Sequence, residues 1–380
     1  MPELPNQIDE LNESIEVIDK QLVELLAKRA EITTKIGEYK SKAGSPIYVA
    51  EAEAQIITNR KSEAKRQGVS AVLIEDLMRR IMRESYHTQS VEFLCTNPSI
   101  RKVVIVGGAG ALGRIFVDLF ERSGYKVAVL EHSDWDRSDT ILENAGLVLV
   151  AVPIKLTESV IARLTNLPEN CILADITSTK QKPLNAMLNA HQGPVVGLHP
   201  MFGPDVPSLV KQVVVVCHGR ESKQYEWLLQ QVRNWGGVLQ QCDAKEHDDA
   251  MVFIQVMRHF CSFVFGSHLA GENPDLQKLI SLSSPIYRLE LAMVGRLFAQ
   301  APALYADIIF DNKDSVAMLT EFSVKFNHAL ALVENSDKEK FIQQFTKVSS
   351  WFGDYAKQSL IDSKQFLLKA DDGRTLIENC

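Results

Sequence analysis

The sequence lacks the features that mark exported and membrane proteins. None of its six cysteines lies in a CxxC pair or at zinc-ligand spacing, which favours free thiols in a reducing compartment. No basic residue precedes Lys20, whereas a secretory signal or transit peptide needs basic residues there. The longest uninterrupted apolar run, residues 147–154, is too short to span a bilayer. We therefore expect a cytoplasmic protein with no membrane segment.

The chain also lacks the excess of positive charge that nucleic-acid binding requires. Lys and Arg number 41 against 48 Asp and Glu, giving a formal net charge of −7. Hydrophobic residues make up 46% of the 380 residues, so the chain can build more than one core. These values predict a soluble globular protein of two or three domains and argue against a general nucleic-acid binder.

The first part of the sequence has the apolar spacing of long helices. Steps of three and four residues produce one apolar seam along the first helix: Ile8, Leu11, Ile15, Ile18, Leu22 and Leu25. The same register places Arg29 on the seam, where its guanidinium either binds an anion or extends to the surface. Two shorter helices are predicted over 50–66 and from Ser70 onward. Three such helices bury little surface alone, which favours dimerisation through the long one.

Beyond a linker at residues 96–99, strands alternate with helices. Apolar strands are predicted at 103–106, 126–130, 147–152, 171–174, 194–198 and 212–217. This order is typical of an α/β domain of the Rossmann type, with a parallel sheet covered on both faces. From about Asp243 the pattern is helical again. We expect domains at 1–92, 99–242 and 243–374.

A glycine-rich turn follows the first strand. Gly108, Gly110 and Gly113 fit the GxGxxG pattern, in which small residues let the backbone and a helix N-terminus approach a pyrophosphate. Glu131 ends the next strand, where a carboxylate accepts hydrogen bonds from ribose hydroxyls and repels a 2′-phosphate. A structural turn with an incidental acid is the alternative. The spacing favours NAD over NADP.

Two polar segments follow later strands and are expected at the same edge of the sheet. Residues 175–180 include Ser178 and Lys180, and His199 lies in a loop with two prolines. His199 can accept a proton from a substrate hydroxyl as hydride leaves, or it can be structural. In the helical region, Arg288 and Arg296 are candidate anion ligands, with intramolecular pairing to Glu290 or Glu272 as the alternative.

An acidic cluster at residues 246–249 contains His247 and resembles a metal site only superficially. A helix N-terminus rich in acids is the preferred interpretation, because the helix dipole favours negative charge there. We expect no metal.

These segments together resemble a known family. GGAGALG, TSTK, GLHPMFGPD and SSPIYRLELAMVGRLFAQ resemble prephenate dehydrogenase. LLAKR, IGEYK, PIYVAEAEA and MRESY, in the helical front, resemble the mutase part of the bifunctional chorismate mutase/prephenate dehydrogenases. The resemblance covers nearly the whole chain. It implies a mutase-like all-α domain, a Rossmann domain and an all-α dimerisation domain.

The resemblance also implies a reaction and roles for residues. The reaction is NAD-linked oxidative decarboxylation of prephenate to 4-hydroxyphenylpyruvate, in tyrosine biosynthesis. His199 would bond the substrate hydroxyl, Ser178 would lie beside that hydroxyl and the nicotinamide, and Lys180 would help bind substrate. Arg296 would hold the ring carboxylate, supported by Arg288. Members of this family are homodimers and are often inhibited by tyrosine, which makes tyrosine a candidate effector.

The mutase-like site departs from the family pattern. Five positions match it: Arg29, Lys40, Glu53, Ser85 and Gln89. Two expected arginines are replaced, one by Asn12 and one by Ala52, and no arginine precedes Arg29. Each missing charge-assisted hydrogen bond costs about 1.5–3 kcal/mol. We expect chorismate mutase activity to be impaired or lost.

Two other functions remain open from the sequence. An arogenate dehydrogenase or another β-hydroxyacid dehydrogenase could use the same architecture, with the front helices serving only dimerisation or regulation. A degenerate nucleotide-sensing protein is disfavoured, because the glycines, Glu131, Ser178, His199 and Arg296 are all present.

Overall fold

The computed structural model describes residues 3–89, 92–312 and 314–372. The chain forms two compact units, Met1–Lys245 and Glu246–Cys380. The first unit contains the front helices and the sheet, and the second is helical. The three-part fold class expected from the sequence is confirmed.

Three helices form the front of the first unit: α1 (Glu3–Ala43), α2 (Ala50–Arg66) and α3 (Ala71–Gln89). Gly44 and Gly68 take left-handed backbone conformations, with φ of +65° and +72°, in the turns that end α1 and α2. The apolar seam of α1 is solvent-exposed in the single chain, and Leu11 is 64% exposed. An unpaired apolar seam of this length is the surface that the predicted dimerisation would cover.

The sheet has seven strands in the order β2-β1-β3-β4-β5-β6-β7. Their bounds are β1 (Val103–Val106), β2 (Val127–Leu130), β3 (Leu147–Val150), β4 (Ile172–Asp175), β5 (Val195–Pro200), β6 (Val213–Arg220) and β7 (Val238–Gln241). Strands β1 to β5 are mutually parallel, as expected, whereas β6 pairs antiparallel with β5 and parallel with β7. The sequence did not predict β7 or the reversal at β6.

Helices cover both faces of the sheet. They are α4 (Ala111–Arg122), α5 (Ser138–Leu142), α6 (Ile154–Ile161), α7 (Gln181–Ala190) and α8 (Glu226–Asn234), with 3-10 turns at His132–Arg137 and Ser222–Tyr225. Alternate residues of β1 enter different cores, because successive side chains of a strand point to opposite faces. Val103 and Ile105 join one cluster, and Val104 and Val106 join the other. Full burial on both faces explains the uninterrupted apolar run of β1.

The second unit is helical throughout its described part. Its helices are α9 (Ala244–Met251), which begins at the unit boundary, α10 (Arg258–Glu272), α11 (Leu276–Leu282), α12 (Pro285–Phe298), α13 (Pro302–Asp311), α14 (Ser315–Glu334) and α15 (Lys338–Asp372). A π-helical segment, Val252–Met257, joins α9 to α10, and Gly353 kinks α15 with φ +52°. Glu246 lies in the first turn of α9, in agreement with the helix N-terminus interpretation.

One helical stretch is strongly apolar, although polar residues interrupt it and no long apolar run marks it in the sequence. Within the part of the chain that the structure describes, Ala244–Glu272 is long and apolar enough to cross a membrane by length and composition alone. A single stretch of this kind is weak evidence for a membrane span, because helices of soluble proteins pass the same test. Only 22% of its apolar window is buried within the chain.

His259 on α10 gives the second unit a predicted dependence on pH. Burial, with a smaller effect of the Arg258 charge, lowers the pKa of His259 from 6.5 to about 4. Between these values the unfolded chain binds a proton that the folded chain does not, so the free energy of unfolding falls as the pH falls. We expect a loss of about 3 kcal/mol between pH 7 and pH 4. Urea unfolding across this range measures it.

A matched variant isolates this effect. His259→Phe removes the titrating group and keeps a ring against Tyr305, whose centroid lies 4.7 Å from that of the imidazole. The acid-dependent slope should flatten in the variant. An equal slope in both proteins would contradict the assignment.

Candidate functional site

The glycine-rich turn after β1 is too crowded for larger residues. Gly107 has φ +81°, and a Cβ there would lie 2.7 Å from the carbonyl oxygen of Ala151. A Cβ on Gly108 would lie 2.9 Å from Val129 Cγ2, and one on Gly113 would lie 2.5 Å from the oxygen of Gly107. Gly110 precedes α4 directly as its N-cap and is exposed. The turn thus leaves backbone N–H groups at a helix N-terminus accessible to an anion.

Glu131 links the end of β2 to this turn. Its Oε1 accepts a hydrogen bond from the backbone N–H of Ala109 at 2.7 Å. The backbone N–H of Glu131 donates to Asp134 Oδ2 at 3.0 Å, which fixes the start of the following 3-10 turn. A carboxylate therefore lies beside the glycine turn, at the position that the spacing predicts for a ribose ligand.

Ser178 follows β4, whereas His199, which the sequence placed in a loop, is the fifth residue of the adjacent parallel strand β5. Asp175 at the end of β4 pairs in register with Gly197 of β5, so Ser178 and His199 both lie beyond the last paired residues. Neighbouring strands are about 4.8 Å apart, which places the two segments side by side at the edge where β1 meets the glycine turn. Ser178 is half-buried, and His199 is 3% exposed in β5, opposite Val215 of β6.

Lys180 is fully buried, which is unusual for a lysine. Its ammonium contacts Asp175 Oδ2 at 2.5 Å and donates to the carbonyl oxygen of Leu198 at 2.7 Å. Asp175 is also fully buried, and its Oδ2 accepts the backbone N–H of Thr177 at 2.9 Å. The sequence predicted a substrate contact for Lys180; the observed partners are protein groups of the two strand ends.

Arg288 and Arg296 belong to the second unit. Ser284 caps α12 and Pro285 takes its first position. Arg288 donates to the carbonyl oxygen of Ser283 at 2.6 Å. Arg296 is exposed in the single chain rather than partly buried, because the buried residues of this stretch, Val294 and Leu297, point to another face of α12. Their roles in binding a carboxylate stay predictions.

The structure brings two of the mutase-like residues together. Arg29 of α1 donates from Nη1 to Ser85 Oγ of α3 at 2.5 Å, so the arginine on the apolar seam contacts a polar group. Lys40 donates to the carbonyl oxygen of Ile47 at 3.0 Å, and burial lowers the pKa of its ammonium. The side chain of Gln89 lies outside the described residues. Asn12 and Ala52 are both exposed.

Glu53, the remaining mutase-like residue, connects the helices to the sheet. It is 5% exposed and accepts hydrogen bonds from the Tyr86 hydroxyl at 2.9 Å and from the Lys211 ammonium at 2.5 Å. Lys211 belongs to the segment between β5 and β6 and has a left-handed backbone conformation, with φ +66°. Burial raises the pKa of Tyr86 most, and its hydrogen bond to Glu53 raises it further.

Two contributors were missed from the sequence. Gly107 was left out of the GxGxxG assignment, although its positive φ and the nearby Ala151 carbonyl both require glycine there. The doubled glycine GG was the available signal. Asp175 was placed in the polar segment 175–180 but given no role, because a carboxylate five residues before a lysine is not a recognised pattern.

Fold and site together define a dinucleotide-binding dehydrogenase with a helical front. Family models agree: chorismate mutase type II matches residues 11–90. The prephenate dehydrogenase nucleotide-binding domain matches 126–245, and the prephenate dehydrogenase dimerization domain matches 243–347. The T-protein of Enterobacter agglomerans is 51% identical over 97% of this chain and 99% of its own length. That of Haemophilus influenzae is 47% identical over 96% and 97%.

The chain therefore belongs to the T-protein family of bifunctional chorismate mutase/prephenate dehydrogenases. Solved structures agree on the fold. The prephenate dehydrogenase from Aquifex aeolicus in complex with hydroxyphenyl propionate and NAD+ has a TM-score of 0.54 and 18% identity, covering 66% of this chain and 96% of that one. The arogenate dehydrogenase of Synechocystis has a TM-score of 0.50 and 18% identity, covering 67% and 99%.

Proposed function

We propose that this chain oxidises prephenate to 4-hydroxyphenylpyruvate and carbon dioxide with NAD, as a step toward tyrosine. The observation that carries the proposal is the shared edge of the sheet. The glycine turn after β1 and Ser178 after β4 follow the carboxyl ends of parallel strands, and His199 lies next to the carboxyl end of β5. Ligands of open α/β sheets bind at that edge.

The residues of the turn fit a dinucleotide. Gly108 and Gly113 have no space for a side chain, and Glu131 lies beside the Ala109 amide, where a ribose would be bound. NAD, when bound, accepts the hydride from the ring carbon that carries the hydroxyl. Because the sheet runs from β2 through β1 to β3 and β4, Glu131 and Ser178 would lie on opposite sides of the glycine turn that would hold the dinucleotide.

His199 is proposed to accept the proton of the substrate hydroxyl as the carbon–oxygen double bond forms. A neutral imidazole is required for this step. Ser178 would hydrogen-bond the same hydroxyl and fix its direction. Arg296, supported by Arg288, would hold the ring carboxylate until it leaves as carbon dioxide, after which the ring becomes aromatic.

The front helices are proposed to act as a mutase-like module with little remaining activity. Arg29, Lys40, Glu53, Ser85 and Gln89 retain part of a site for an anionic substrate, but Asn12 and Ala52 remove two cations. We also propose a cytoplasmic homodimer, domain limits at 1–92, 99–242 and 243–374, and tyrosine as an effector.

Parallel assays test the function and its alternatives. The purified chain is incubated with NAD and prephenate, with NAD and arogenate, and with NAD and simple β-hydroxyacids, while NADH is followed by absorbance. NADH from prephenate is the expected result. A preference for arogenate would favour the second candidate, which the same architecture permits. No NADH from any substrate would refute both.

Glu131 allows a separate test of cofactor choice. Glu131→Ala removes a charged acceptor for the ribose hydroxyls and the repulsion of a 2′-phosphate, so the ratio of kcat/KM for NAD to that for NADP should fall about 10- to 100-fold. Steady-state rates with both cofactors measure the ratio. Asp136→Ala, which removes an exposed acid from the same 3-10 turn, serves as the control. A ratio unchanged in Glu131→Ala would contradict the ribose assignment.

A further inference from the structure

The pair formed by Asp175 and Lys180 contacts both segments that carry the proposed catalytic groups. Through Oδ2, Asp175 accepts the backbone N–H of Thr177, the residue before Ser178. Through Nζ, Lys180 donates to the carbonyl oxygen of Leu198, the residue before His199. One ion pair thus holds the peptide group directly before His199 and the backbone N–H of the residue before Ser178.

This pair lies where strand pairing ends. The β4–β5 register stops at Asp175 and Gly197, so Leu198 lies one residue beyond the last paired position. In place of a strand N–H, the ammonium of Lys180 supplies the donor to its carbonyl. A hydrogen bond from a charged donor is stronger than the neutral strand bond it replaces, and burial increases the difference.

Residue 197 is a glycine that packs directly against this pair. A Cβ on Gly197 would lie 3.2 Å from Lys180 Cδ and 3.4 Å from Asp175 Oδ1. Asp175 Oδ1 has no hydrogen-bond partner among the described residues. A buried carboxylate with one unsatisfied oxygen costs stability, so the fold retains this pair at a cost that packing alone does not explain.

We propose that Asp175 and Lys180 are positioning residues for the dehydrogenase reaction, which act through the backbone of Leu198 and Thr177 on His199 and Ser178. The proposal rests on the proposed function. It gives Lys180 a role inside the protein instead of contact with substrate. The pair restrains the imidazole and the serine hydroxyl relative to one another, so that both reach one substrate hydroxyl.

A neutral, nearly isosteric double variant tests the proposal. Asp175→Asn/Lys180→Met removes both charges together and leaves no uncompensated ion, which preserves folding better than either single change. We expect kcat with prephenate to fall about tenfold or more, with the Kd for NAD within about threefold of the wild type. In a His199→Asn background the same double change should cost less than about threefold, because residues that act through one another are not additive.

Two further variants and one NMR measurement serve as controls. Gly197→Ala keeps both charges but adds a methyl group against the pair. It should also lower kcat, and the loss should again be smaller in the His199→Asn background than in the wild type. Ser123→Ala removes a buried hydroxyl that accepts from Trp235 Nε1 at 2.9 Å, and should leave kcat unchanged. The NMR signal of the His199 imidazole, assigned by its loss in His199→Asn, should shift in the double variant and not in Ser123→Ala.

The outcomes separate the two proposals. Additive losses in the His199→Asn background, an unchanged kcat, or a double variant that fails to fold would overturn the positioning role. A wild-type chain that forms no NADH from prephenate would overturn the proposed function instead, and the imidazole signal, which needs no turnover, would then decide the positioning role.

Discussion

Replacing His199 with Asn is expected to lower kcat for NADH formation from prephenate by about 10²- to 10⁴-fold. Asparagine can still hydrogen-bond a hydroxyl, but it cannot accept its proton at neutral pH. Because the glycine turn and Glu131 are untouched, the Kd for NAD should stay close to that of the wild type. Stopped-flow absorbance and a fluorescence titration with NAD measure the two quantities.

A second histidine of the same sheet provides the control. His218 lies on β6, and its Nδ1 is 2.8 Å from the hydroxyl of Tyr225. His218→Asn should change kcat little, since its partner belongs to a 3-10 turn and not to the strand ends that carry the site. Equal losses in the two variants, or full activity in His199→Asn, would remove the assigned role of His199.

Restoring two arginines is expected to raise chorismate mutase activity by about 10²- to 10⁴-fold, since each charge-assisted hydrogen bond contributes about 1.5–3 kcal/mol. The variant is Asn12→Arg/Ala52→Arg. Both positions are exposed on helices, so the longer side chains meet no packed core. Loss of chorismate absorbance without NAD measures the rate.

The gain should depend on the rest of the site. Adding Arg29→Ala to the restored variant should return the rate to its starting level, because Arg29 already contacts Ser85 across α1 and α3. A wild-type chain that converts chorismate as fast as the restored variant would show that other cations replace the missing arginines.

Local patterns predicted much of this molecule. The second helix was predicted at 50–66 and occupies Ala50–Arg66, because a turn with Gly44 and Pro46 precedes it and Gly68 follows it. Strand β1 was identified at its observed limits, since four apolar residues followed by a glycine turn have few other structures. The glycines and Glu131 were found because the GxGxxG pattern and the acidic residue that follows it have a fixed spacing in dinucleotide sites.

Other features depend on contacts that no local pattern records. Strand β7 escaped because Val238–Gln241 is short and half-exposed, with two glutamines. The antiparallel direction of β6 depends on how the chain crosses the sheet, which the apolar pattern of the strand does not record. The burial of Lys180 was unpredictable for the same reason: lysine ordinarily faces solvent, and its partners lie on two different strands.

The junction of the front helices with the sheet has an evolutionary consequence. Ile47, from the loop between α1 and α2, and Phe93, from the segment after α3, pack into the same hydrophobic cluster as Val103 and Trp235. Thr96, in the expected linker, is anchored to the carbonyl oxygen of Trp227 at 2.9 Å. Deleting the front ninety residues would remove Ile47 and so expose part of this cluster to solvent. Selection for this packing would retain the front helices whether or not they keep their own catalysis.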